Sequence, residues 1–186
     1  MSQENKICKI CGTLGHSQFY CKKKPIKPIK RSPIKKTVAK KRKQKSPRSK
    51  AKDDAWNSFS RYIRTRDSIK TTGTTTHCIC VTCRERGDSE PKEYRHIQAG
   101  HAVGGRGNAV LFHEEIVNGQ CDYCNSQGAF GLKGDYGNYA IYLVREYGIE
   151  HAQELQRLKG TYKKYTIQDL RDIKILYDYK YKELVK

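Results

Sequence analysis

The feature that most constrains the fold of this chain is a pair of Cys-x2-Cys motifs separated by 37 residues. A two-residue gap lets both sulfurs of a motif reach one metal ion, and four thiolates complete the tetrahedral shell of a structural zinc site. Cysteines at such spacings indicate metal binding rather than disulfides in a reducing compartment. The spacing therefore predicts one zinc ion held by Cys80, Cys83, Cys121 and Cys124.

A structural zinc site of this kind suits a segment with a small hydrophobic core. Hydrophobic residues make up 36% of the chain and charged residues 31%, so a metal must supply part of the stability. The 186 residues allow one ordinary domain with extensions. Cys78 is left over; it is either a spare buried thiol, the interpretation favoured here, or a competitor of Cys80 for the metal.

A second cluster, Cys8-x2-Cys11-x4-His16-x4-Cys21, occupies the first 21 residues. Three thiolates and one imidazole also satisfy tetrahedral zinc, and the spacing is that of a zinc knuckle. We therefore predict a CCHC knuckle over residues 1–21 and two structural zinc ions in all. The knuckle either contacts unpaired bases or is a purely structural zinc mini-fold.

The net charge of +19 is concentrated in one segment. Residues 22–52 hold sixteen Lys or Arg and no acidic residue, whereas residues 53–186 hold twenty basic and eighteen acidic residues. The prolines and lysines of 22–52 predict a disordered linker. Such an arm binds phosphate with little sequence preference, so DNA is the expected partner and a solubilising tail the alternative. The candidate contacts within it are Lys40, Lys41, Arg42 and Lys43.

Helical patterns flank a loop-rich middle. Asp53 and Asp54 are plausible caps for a helix that runs to about Ile69. Residues 71–135 are rich in Gly, Thr, His and Cys, with a strand-like stretch over 94–99. A helix is predicted to end at Tyr147-Gly148, a short one covers roughly 151–158, and Thr166 opens a last helix through a capping box. We therefore expect a small α+β domain over residues 53–186.

The order of the remaining motifs carries a family resemblance. Ala99-Gly100-His101 lies between the two cysteine pairs, Asn118-Gly119-Gln120 precedes Cys121, and Tyr139-x3-Leu143-x3-Tyr147-Gly148 follows. Over roughly residues 55–186 the chain resembles the phage NinG/Rap recombination nucleases. More broadly, it resembles HNH endonucleases, in which a ββα-metal unit is wrapped around a treble-clef zinc site.

The resemblance implies metal-assisted hydrolysis of branched DNA, such as Holliday junctions, during phage recombination. His101 would be the general base, and Asn118 would hold the active-site loop through backbone hydrogen bonds. The catalytic cation would be Mg²⁺, with Mn²⁺ as the alternative, bound by His101 and Asp135, with His113 as a second choice for Asp135. Arg95, His96 and Arg106 are either phosphate contacts or solvated surface residues.

Three departures keep other functions open. The residue before His101 is Gly100 where many HNH sites have an acid, and Ile116 stands where the central asparagine is common. An apparent four-residue insertion lies within residues 127–133. The alternatives are a non-catalytic zinc protein that binds single-stranded nucleic acid and an HNH nuclease that cuts ordinary duplex. Two coordinated nicks at a junction would require a homodimer. With no long apolar run and no signal peptide, we expect a cytoplasmic protein, in the host cell if phage-encoded, with no membrane partner.

Overall fold

The structure, a computed structural model, describes residues 7–14, 21–23, 44–87, 92–104, 107–126 and 128–186. The chain divides into two compact units, Met1–Lys43 and Gln44–Lys186. The predicted site residues His16, Lys40, Lys41, Arg42, Lys43 and Arg106 lie outside the described residues, as does most of the predicted linker. Among the described residues, no helix is long and apolar enough to cross a lipid bilayer.

The first helix of the larger unit corrects one predicted boundary. Helix α1 spans Pro47–Thr72, so residues 47–52, predicted to be linker, are helical. The side chain of Ser46 caps its first turn by accepting a hydrogen bond from Ser49 N. Proline is favoured at the first helical position because its missing N–H would have no partner there. Pro47 thus starts the helix, and Asp53 and Asp54 lie inside it rather than capping it.

The remaining elements are short until the chain passes the second cysteine pair. They are β1 (Cys78–Ile79), α2 (Val81–Glu85), β2 (Glu93–Tyr94), β3 (Gln98–His101), α3 (Asn108–Leu111), β4 (Val117–Gln120), α4 (Asp122–Asn125), α5 (Tyr136–Tyr147), α6 (Ile149–Arg157), a 3₁₀ turn (Leu158–Gly160) and α7 (Ile167–Leu184). The strands form two antiparallel pairs, β1 with β2 and β3 with β4. The expected small, mixed α and β fold is confirmed.

Two of the predicted helix ends are confirmed in detail. Gly148, at φ 84°, follows α5 and donates its N–H to Val144 O. Thr166 and Asp169 form the predicted capping box at the start of α7. The single strand predicted over 94–99 is instead divided, because β2 ends at Tyr94 and β3 begins at Gln98.

The β3–β4 hairpin lies between two helices. Ala99 and Val117 on one face pack in a cluster with Phe59 of α1. On the other face, the hydroxyl of Tyr139 of α5 donates to Gly100 O at 2.9 Å. Helix α7 packs along α1, where the Phe59 and Tyr177 rings meet edge to face at 4.7 Å. The hairpin, which carries His101, is thereby fixed from both sides.

Candidate metal centre and nuclease site

The four cysteines of the two Cys-x2-Cys motifs meet in one buried cluster. Their sulfur atoms all lie within 4.8 Å of one another, and Cys83 Sγ lies 3.7 Å from Cys121 Sγ and 3.6 Å from Cys124 Sγ. Zinc–sulfur bonds of about 2.3 Å in a tetrahedron place neighbouring sulfurs about 3.8 Å apart. The cluster therefore fits one zinc ion with four protein ligands and leaves no coordination position for a substrate.

Polar side chains around this cluster contact the cysteine sulfurs, as the groups that surround the ligands of a metal site do. Thr82 Oγ1 lies 3.3 Å from Cys80 Sγ, and Arg86 Nη2 donates to Cys124 Sγ at 3.2 Å. Burial raises the pKa of the Cys83 thiol to about 12, whereas hydrogen bonds from the Cys121 and Cys124 thiols lower the pKa of Cys80. A cation bound among them favours the thiolate form of all four.

The smaller unit brings together three of the four predicted knuckle ligands. The sulfur atoms of Cys8, Cys11 and Cys21 lie within 4.8 Å of one another. A tight turn returns the chain on itself, with Cys8 N bonded to Thr13 O and Gly12 at φ 75°. His16, the fourth predicted ligand, is outside the described residues, so its place in this site stays a prediction.

Cys78 is a buried thiol beside the larger cluster and is not one of its members. Thr71 Oγ1 lies 3.6 Å from its sulfur, and burial raises the pKa of the thiol to about 11. Its sulfur is outside the set of four that converge. Cys80, and not Cys78, therefore completes the four-sulfur set.

His101 ends strand β3, paired across the hairpin with Val117. Its ring stacks on Trp56 of α1 at a centroid distance of 5.2 Å and an interplanar angle of 16°. The Nε2 atom lies 3.4 Å from the Leu111 carbonyl oxygen, and the residue is 6% exposed. Trp56 fits the apolar stripe of α1 in sequence, but nothing in the sequence pairs it with His101.

Asn118 lies on β4 directly across from Gly100. Its Nδ2 donates to Glu115 O at 3.1 Å, which is the predicted type of contact with the backbone of the loop between the strands. Its Oδ1 accepts from Arg66 Nη2 at 2.9 Å and from the Tyr142 hydroxyl at 3.3 Å. The side chain thus joins α1, α5 and the loop, and its role in the structure is to position them.

Arg66 and Asp67 of α1 are positioning residues that sequence reasoning missed. The Arg66 guanidinium donates to Glu114 O, Val117 O and Asp67 Oδ1, as well as to Asn118. The buried Asp67 carboxylate also accepts from Gly119 N at 2.7 Å. The available signal was a pair of opposite charges on the apolar side of a helix, because such charges need buried partners.

Asp135, the predicted cation ligand, is engaged elsewhere. Its carboxylate accepts from Arg86 Nη2 at 2.7 Å and from Asn138 Nδ2 at 2.9 Å, so it lies beside the zinc cluster at the start of α5. Arg86, which contacts both Cys124 and Asp135, explains this placement. In the structure Asp135 is therefore a partner of Arg86 beside the zinc cluster, and its role as a Mg²⁺ ligand stays a prediction.

The second choice, His113, is half-buried, and burial lowers its pKa. Its Nδ1 is buried without a hydrogen-bond partner among the described residues. Within that part of the chain, the two cysteine clusters are the only groups of three or more His, Cys, Asp or Glu whose ligand atoms converge. The oxygen ligands that Mg²⁺ prefers are thus not assembled by the described side chains, which do not fit a Mg²⁺ site.

The family model described as "Bacteriophage Lambda NinG protein" matches residues 2–186. The chain belongs to the bacteriophage lambda NinG family. No curated protein and no solved structure matched it.

This NinG-family protein carries an open, basic groove beside the hairpin, with a volume of about 500 Å³. It lies between α1 and the turn from β2 to β3, and Arg64, Arg95 and His96 line it together with hydroxyl groups such as that of Thr76. Of the described residues that line it, Asp122 is the only acid, and its Oδ1 accepts from Gln98 Nε2 at 2.7 Å. Guanidinium and hydroxyl donors are the groups that bind phosphate oxygens.

Proposed function

We propose that this NinG-family protein is a zinc-stabilised endonuclease that cuts branched DNA intermediates of phage recombination. The observation that carries the proposal is an order of elements: a cysteine pair, an antiparallel hairpin with a histidine at the end of its first strand, a second cysteine pair and a helix across the hairpin. An HNH unit built on a treble-clef zinc site has this order. Family membership supports the role in recombination.

His101 is the proposed general base. Its imidazole takes a proton from a water molecule while the water oxygen bonds to phosphorus, and the phosphorus–O3′ bond breaks. The leaving 3′ oxygen takes a proton from solvent. Arg66 and Asn118 hold the loop and strand next to His101 through the contacts described above, so they orient the base without touching DNA.

The basic groove supports DNA as the partner. It begins at Gln98, the first residue of β3, and His101 ends the same strand. Three residues of extended chain span about 10 Å, so the groove includes the start of the strand that carries the proposed base. The groove therefore positions DNA, while sequence-independent contacts to phosphate set the affinity.

A second function is favoured by two specific observations. His101 is only 6% exposed beneath Trp56, and Asp135 pairs with Arg86. Both features suit a zinc protein that binds branched or single-stranded DNA and performs no chemistry on it. This second function has DNA as its partner, as the endonuclease does, and differs from it only in the absence of cleavage.

The experiment is a cleavage assay on a synthetic four-way junction with purified, zinc-loaded protein. Reactions contain Mg²⁺ or a mild chelator of Mg²⁺, and a linear duplex of the same sequence is assayed in parallel. His101→Gln keeps a polar, planar side chain in a buried position. His77→Gln, at a half-buried position outside the groove lining, is the matched control. Junction affinity is measured for every variant.

We expect the native chain to nick the junction and spare the linear duplex. His101→Gln should bind the junction as tightly as the native chain and cut it about 100- to 10,000-fold more slowly, the range a general base supplies. His77→Gln should keep full cleavage. Tight junction binding without cleavage by the native chain establishes the second function, and undiminished cleavage by His101→Gln removes the assigned base.

A further inference from the structure

Phe130 is the most exposed large apolar residue of the described chain, at 91%. It follows Ala129 and precedes Gly131, so its near neighbours in sequence offer it no apolar cover. A fully exposed phenylalanine forfeits the favourable free energy that burial of its ring would contribute. That cost makes Phe130 a candidate for burial against a partner.

The loop that presents Phe130 is fastened to the zinc site. Leu132 N donates to Tyr123 O at 2.9 Å, Lys133 N to Ser126 O at 3.0 Å and Gly134 N to Cys124 O at 2.8 Å. Cys124 is a zinc-cluster residue, and Tyr123 and Ser126 flank it on and just after α4. The loop is therefore tied by backbone hydrogen bonds to the segment that carries Cys124.

The backbone of this loop is also strained and close-packed. Lys133 at φ 55° and Asp135 at φ 46° are the only described residues other than glycine with positive φ. A Cβ atom at Gly131 would lie 2.4 Å from Ser126 O, so the chain folds back too tightly there for any side chain. Strained conformations of this kind persist only where the surrounding contacts fix them, and they concentrate at functional sites.

From these observations we infer that Phe130 is a wedge that stacks on a base at the branch point of DNA. This inference rests on the proposed function for its partner and adds the contact that recognises the branch. Phe130, together with the partly exposed Leu132 and Tyr123, offers only a few apolar side chains, short of the roughly 800 Å² per partner of a stable protein interface. A base at a branch offers one flat apolar face, and side chains such as Phe insert between base steps in this way.

The experiment measures binding to a four-way junction that carries 2-aminopurine beside the branch, with the full zinc-loaded chain. Phe130→Ala removes the ring, and Phe130→Trp restores an aromatic face. Tyr162→Ala is the matched control, because Tyr162 is 86% exposed in a different segment. Neither position is buried, so circular dichroism and zinc content should match the native chain for all three variants.

We expect the native chain and Phe130→Trp to raise 2-aminopurine fluorescence by unstacking the base. Phe130→Ala should lose this signal and bind the junction about five- to 150-fold more weakly, while its affinity for linear duplex stays unchanged. Tyr162→Ala should behave as the native chain.

Native junction affinity and an unchanged fluorescence signal in Phe130→Ala would overturn the wedge while leaving the proposed function intact. A change in sedimentation of Phe130→Ala in place of a change in DNA binding would assign the ring to a protein contact instead. If the native chain binds no branched DNA at all, the proposed function fails and the wedge fails with it.

Discussion

A Cβ atom at Gly100 would lie only 2.0 Å from Oε1 of Gln120 on the paired strand. The Gln120 side chain is fully buried, and its Nε2 donates to Gly134 O at 2.8 Å and to Thr82 Oγ1 at 3.3 Å. It therefore links the hairpin to the zinc cluster through the space that a side chain at position 100 would occupy. The glycine before His101 follows from this packing, and no acid fits there while Gln120 stays in place.

The first prediction concerns this pair. Gly100→Ala should lower the free energy of unfolding by about 1–3 kcal/mol, because Gln120 must leave its hydrogen bonds to make room. Gln120→Ala removes the obstacle, so the double variant should be less destabilised than the sum of the single variants. Urea denaturation of the four proteins measures the coupling. Gly137→Ala on α5, whose Cβ would meet nothing within 4 Å, is the control; additive effects would contradict the packing argument.

The second prediction concerns zinc content. The native chain should carry two zinc ions, and Cys83→Ala should carry one and melt at a lower temperature, because structural zinc contributes directly to folding. Cys78→Ala removes an equally buried thiol from outside the four-sulfur set, so it should keep both ions. Elemental analysis and thermal melting test this. Loss of an ion from Cys78→Ala would mean that Cys78 is a ligand.

The zinc cluster could be predicted from sequence because its chemistry is local. Two residues between cysteines fix the bite of each pair, and two such pairs satisfy one tetrahedral ion. The capping box at Thr166 is equally local, since it depends on a residue three positions away. Where a function depends on neighbours in sequence, the pattern identifies it.

Sequence reasoning does not find the surroundings of a side chain where a residue distant in sequence determines them. Asp135 has a carboxylate suited to bind a cation, but in the structure that carboxylate is paired with Arg86, 49 positions earlier. The burial of His101 depends on Trp56 from a helix that precedes the zinc cluster. The start of α1 was missed for a different reason: Pro47 was interpreted as a linker residue, although proline also begins helices.

The third prediction concerns how stability depends on pH through Glu114. This residue lies in the connection between β3 and β4 and contacts helices α1 and α7. Glu114 accepts hydrogen bonds from the Tyr62 and Tyr177 hydroxyls and from the Lys180 ammonium. Burial opposes the charged carboxylate, but these donors outweigh it, so the pKa of Glu114 lies below its usual value of 4.5. A lowered pKa contributes stability that is present above pH 4.5 and lost as the pH falls through the folded-state pKa.

Glu114→Gln should therefore cost about 1–2 kcal/mol of unfolding free energy at neutral pH. The difference from the native chain should shrink as the pH drops below 4.5, because the native carboxylate is then protonated too. Denaturation at a series of pH values measures it, and both proteins contain the same zinc ligands. A difference that stays constant across the series would show that the charge of Glu114 contributes nothing.

The last prediction concerns the basic groove. Each phosphate contact made by a cation adds about 0.9 to the slope of log affinity against log salt concentration. Arg64→Ala and Arg95→Ala should therefore each lower the slope by about 1 and weaken junction and duplex binding alike, because phosphate contacts are independent of base sequence. Arg171→Ala removes an exposed charge from α7, outside the groove lining, and should leave the slope unchanged because Arg171 makes no contact with a phosphate bound in the groove. Equal slopes for all three variants would place the DNA backbone on another surface.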